Sequence, residues 1–192
     1  MTIFLILAPF GAFTSLMLVT SAAISLFTSA AVGLGVVGLD LVRGRQVKIL
    51  GAGSTMLFAA LGAYVALIDP HLGNSAVKIA VDCGVLAISL GSMLIRYPFS
   101  LQYALEAVPA ETAAIPGFLR ANYVITGAWT ASFVLMLAGN LAVTYVPGLP
   151  LWTGLAIAFA ARNSAIYFTK WYPEHRKLKD RAAAGHPLPE TR

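Results

Sequence analysis

From Met1 to Leu39 the chain carries no charged residue. No soluble domain can solvate such a run, whereas a bilayer core about 30 Å thick is crossed by about 20 apolar residues in a helix. The run is long enough for two crossings before Asp40. Further apolar stretches follow at Ile49 to Ile68, Val77 to Ile95, Tyr123 to Val146 and Leu151 to Phe168. The chain reads as all-α, a polytopic transmembrane helical bundle in which the lipid bilayer is the first partner.

Composition closes off the soluble alternative. Only 11% of residues are charged and 58% are hydrophobic, against about 25% charged in soluble domains, so an aqueous fold would lack polar surface. The net charge of +5 does not point to nucleic acid, because the basic residues stand at the ends of apolar stretches and not on one soluble face. A single bundle over 1–172 and a charged, flexible cytoplasmic tail over 173–192 account for the chain. Cys83 is the only cysteine, which rules out an intramolecular disulfide and a thiolate metal site. The opening run lacks a basic start and continues past Ser21, Ala22 and Ala23, so it reads as a retained helix and not a cleaved signal.

Basic residues set the orientation. Arg43, Arg45 and Lys48 occupy one loop, Arg96 and Arg120 bound the next on that side, and Lys170, Arg176, Lys177, Lys179 and Arg181 follow the last span. The opposite connections hold Lys78 alone, and the Pro147 to Pro150 turn holds no basic residue. By the positive-inside rule the basic side is cytoplasmic. About six helices with both termini inside satisfy every loop, provided the first run breaks near Thr20 and Ser21. One tilted first helix would instead give five spans and an outside N-terminus.

Between the fourth and fifth spans, Pro98, Pro109 and Pro116 divide the chain into short helices, since proline suits a first helical position and disfavours helix just before it. Leu101, Leu105 and Val108 fall on one face and Gln102 with Glu106 on another. This short helical segment is expected at the membrane interface. Gly33, Gly35 and Gly38 spell GxGxxG, but a dinucleotide site needs a preceding strand and an acid about 20 residues on. In an apolar helix the pattern reads as packing, with Ala31, Gly35 and Gly38 forming a small-residue face for helix or homo-oligomer contact; Gly51 and Gly53 read the same way.

Two ionisable residues fall inside apolar spans. Asp82 lies roughly 10 Å and Arg162 roughly 18 Å from the outer ends of their helices at 1.5 Å per residue. A charge at that depth costs several kcal/mol and calls for a partner or a purpose, so Asp82 and Arg162 are the candidate intramembrane pair. It is part of a polar path, or a helix-fixing ion pair, or an Arg162 that snorkels inward beside an Asp82 that is protonated or near the headgroups. Asn140 and Asn163 are expected to hydrogen-bond between helices. His71, His175 and His186 have no metal-ligand spacing, Ser54 and Ser89 have no histidine base nearby, and Lys170 beside Trp171 and Tyr172 reads as an interfacial anchor. No catalytic residue, cofactor site or metal site emerges.

The loop RGRQVK, the stretch IDPHLGNSAVKIAVDCGVLAISLGSMLIRYPFSLQYALEAVPAET and the stretch FLRANYVITGAWTASFVLMLAGNLAVTYVP, in that order after a near-uncharged opening, resemble the septation protein A family. These are small bacterial inner-membrane proteins linked to cell division and envelope assembly. The likeness spans about four fifths of the chain as pattern, with Lys78, Pro98, Trp129 and Asn140 the closest matches. Asn74, Ser75 and Ala76 stand where the family is richer in lysine and aromatics, and the loop around Tyr97, Phe99 and Gln102 differs. The resemblance implies a non-enzymatic scaffold or accessory factor in septation and envelope biogenesis, with other inner-membrane division or envelope proteins as partners. The alternative from the residues is a small-solute or ion transporter or channel whose path includes Asp82 and Arg162.

Overall fold

The computed structural model describes residues 3–183. They form eight helices: α1 (Ile3–Leu16), α2 (Ala22–Val42), α3 (Ile49–Leu67), α4 (Asn74–Leu94), α5 (Phe99–Ala107), α6 (Ala110–Ala113), α7 (Pro116–Tyr145) and α8 (Leu151–Ala183). No strand occurs among the described residues. Four helices, α2, α3, α4 and α7, are long and apolar enough to cross a membrane, and α1 is a shorter apolar helix. α8 is longer than any of these, but Arg162, Asn163 and Ser164 interrupt its apolar half.

The first run breaks where its hydroxyls fall. Thr20 Oγ1 donates to the Leu16 carbonyl at 2.9 Å, and Ser21 caps α2 by accepting from the Ile24 amide at 3.4 Å. Both serve terminal backbone groups that would otherwise lack partners. The three prolines act as punctuation: Pro98 and Pro109 precede α5 and α6, and Pro116 opens α7. At the other end of the chain α8 does not stop at Pro173 but continues to Ala183, so the apolar-to-charged boundary is not a helix end. Residues 184–192 of the expected tail, His186 among them, lie outside the described residues.

Each long helix packs chiefly on its chain neighbour, in the order α1, α2, α3, α4, α7, α8, while α5 lies against α7 and α4. Ser25, Ser29, Ser54, Ser89, Ser92 and Thr126 are all buried beyond 98%, yet Leu34, Met56 and Phe159 are each more than 60% exposed. Small hydroxyls inside with large apolar groups outside is the arrangement that suits helices in lipid, where close approach and polar contacts hold elements together. The hydroxyls return hydrogen bonds within helices or between them, as when Ser89 and Thr130 meet at 2.7 Å across α4 and α7.

Glycine position about the helix axis decides which contacts are close. A Cβ on Gly33 would run into Thr55 of α3, with Pro9 of α1 at 3.6 Å, whereas Gly35 and Gly38 meet nothing within 4 Å. The expected face of Ala31, Gly35 and Gly38 is therefore not used within the chain, and Ala31 and Gly35 are exposed. Gly33, two positions away on the opposite side, is the point of close approach. Gly53 packs against Ile88, so it does serve helix contact.

Candidate functional site

α1, α4, α5, α7 and α8 surround a cleft of about 550 Å³. Its walls are largely apolar, built from residues such as Phe10, Phe13, Val85, Trp129, Phe133 and Leu155. Trp129 is fixed by its indole N–H, which donates to Thr169 Oγ1 at 2.9 Å. Lys78, Asp82, Arg162, Arg176 and Lys177 supply the charge along this surface.

Asp82 and Arg162 both line the cleft, but among the described residues they are not an ion pair. Asp82 Oδ2 instead accepts from Asn140 Nδ2 at 2.6 Å, and Lys78 lies one turn earlier on α4. The cause is lateral placement: α7 packs against both α4 and α8 and offers Asn140 to Asp82. Arg162 is half-buried and, among the described residues, forms no ion pair or hydrogen bond. Asn140 thus bonds between helices as expected. Asn163 does not, since its Nδ2 donates to the Phe159 carbonyl of its own helix at 2.7 Å.

A second charged cluster lies where α5 meets the α2–α3 loop. Lys48 Nζ donates to Asp40 Oδ2 at 2.9 Å and pairs with Glu106 Oε1 at 3.0 Å, with its side chain only 2% exposed. The ammonium also sits 5.5 Å from the Tyr103 ring centre, within cation–π range. Burial first, then the negative charges of Asp40 and Glu106, hold the Tyr103 phenol above its ordinary range, so the ring stays neutral. Arg45 approaches Asp40 at 3.9 Å. Gln102 completes the joint: its Oε1 accepts from the Ile49 amide at 2.6 Å, satisfying one of the orphan donors at the start of α3.

α5 is packed into the protein along its first turn. Phe99, Ser100, Leu101 and Gln102 are all buried, while Leu105 is 41% exposed. Ser100 Oγ donates to the Asn122 carbonyl at 2.9 Å and accepts from Thr126 Oγ1 at 2.8 Å, tying α5 to α7. Phe99, Tyr103 and Ala104 then face the cleft as one of its walls. The Gln102 and Glu106 face read from sequence is real, but it addresses the α2–α3 loop.

No protein-family model, curated protein or solved structure matches the chain. Lys78, Trp129 and Asn140 line the cleft, and Pro98 is fully buried at the start of the α5 wall. The cleft itself and the Lys48 joint escaped sequence reading. The joint had a faint signal in an acid and a base, Asp40 and Lys48, flanking one short loop.

Proposed function

We propose that the protein is a non-enzymatic multi-pass inner-membrane protein, a scaffold or accessory factor in cell division and envelope biogenesis, that works by holding an amphipathic membrane molecule in its cleft. In this reading α1 and α8 also cross, giving six spans, with the basic end in the cytoplasm by the asymmetry of Lys and Arg. The observation that carries it is the cleft: about 550 Å³ falls within the roughly 300–1,000 Å³ of small-molecule sites, which are mostly apolar with a few placed polar groups. That the family-like residues converge on it links the context to the site.

Native purification followed by lipid mass spectrometry tests the binding half. A retained amphiphile is expected, and Ala158→Trp, which fills the cleft from α8, should expel it. Deletion in the native host tests the context, with defects expected in cell length, septum placement or envelope-stress tolerance. A secreted-enzyme reporter fused within Asp69 to Asn74 should be active, and one fused at Gly44 silent; the reverse pattern overturns the orientation. The shared lining by Asp82 and Arg162 favours a second reading, a conduit for a small solute or ion. Normal morphology after deletion, together with changed uptake of one solute in vesicles, would replace the scaffold with that transporter.

A further inference from the structure

Among the charged groups of the cleft, Arg162 is the one that falls near the middle of an apolar stretch, Leu151 to Phe168. Asp82 has Asn140, whereas nothing among the described residues bonds to Arg162. Eleven residues separate it from Leu151 at the helix start, so it lies about 17 Å along α8, which with α8 crossing as proposed above is near the middle of a core about 30 Å thick. A cation at that depth calls for a partner or a purpose.

The surroundings narrow what that partner is. The walls are hydrocarbon-like, so the molecule carries an apolar chain. The depth is wrong for a phospholipid headgroup, which stays at the interface, and a volume of about 550 Å³ lies in the lower half of the range for small-molecule sites, which suits one chain better than two. A guanidinium presents a planar fork that matches a carboxylate with two parallel hydrogen bonds. We infer that Arg162 anchors the carboxylate of a long-chain carboxylic acid lying in the cleft, with its chain running along Phe133 and Trp129. This rests on the cleft being a ligand site.

Trp129 makes the test direct. In the full-length protein with Trp152→Phe and Trp171→Phe, Trp129 is the sole tryptophan, and a brominated long-chain fatty acid bound in the cleft quenches it. The methyl ester of the same acid has the same chain without the charge. Because bonds to charged groups contribute about 1.5–3 kcal/mol, the acid should bind at least about tenfold more tightly than the ester. Arg162→Gln should remove that preference while ester binding persists, which also shows the variant is folded; Arg162→Lys should restore part of it. Equal binding of acid and ester, or a preference that survives Arg162→Gln, overturns the anion site and leaves the cleft reading standing. Quenching by neither compound overturns both.

Discussion

The molecule treats charge in two ways. At the α2–α3 loop, Lys48 is enclosed between Asp40 and Glu106 and roofed by Tyr103, so each charge is answered by protein. In the cleft, Lys78, Asp82 and Arg162 share one surface, where among the described residues Asp82 hydrogen-bonds to Asn140 and none of the three forms an ion pair. The first set is closed on itself and fixes where α5 sits. The second is left open toward empty volume. The joint holds its charges by contacts within the protein, whereas the cleft's charges line a cavity.

The largest effect should come from breaking the closed set. Lys48→Met leaves Glu106 without its cation and Asp40 with only the longer 3.9 Å approach of Arg45, and removing one partner of a buried pair costs about 3–5 kcal/mol. The thermal midpoint in detergent should fall steeply; an unchanged midpoint would mean the joint is not structural. Next is Gly33→Leu, which drives a side chain into Thr55 and Pro9 and should cost about 1–3 kcal/mol as overpacking.

Double-mutant cycles sharpen the contrast within the cleft. Asp82→Asn with Asn140→Ala should show coupling of about 0.5–3 kcal/mol, whereas Asp82→Asn with Arg162→Leu should add to within about 0.5 kcal/mol. Strong coupling of the second pair would restore a direct ion pair and remove the reason for an outside anion. The smallest effect is expected at Gly35→Leu. Its Cβ meets open space, so monomer stability should stay within about 0.5 kcal/mol. Any change should show only as altered self-association in analytical ultracentrifugation.

Much of the fold was legible because its signals are local. Thr20 and Ser21 break the first run by hydroxyl capping, and Pro98, Pro109 and Pro116 set helix starts, each acting within a few residues of itself. What stayed hidden is angular. Rise per residue gives depth, so it placed Asp82 and Arg162 at related levels, but it is silent on which helix stands between them. The same blindness chose Gly35 where Gly33 makes the contact. Lys48 was read as a topology marker because its second carboxylate arrives from Glu106, 58 positions later in the chain.

The Gln102 contact carries an implication for how the molecule is made. The first amide of α3 finds its acceptor only on a side chain 53 residues further along, and Lys48 likewise waits for Glu106. As the chain emerges, α2 and α3 can pair through Gly33 well before that segment exists. Their connecting turn then remains provisional until α4 has crossed back and α5 has docked. The contacts that close the α2–α3 loop come from a piece of chain made only after α4, so a ribosome stalled before residue 102 should leave a hairpin whose loop is still open to proteolysis.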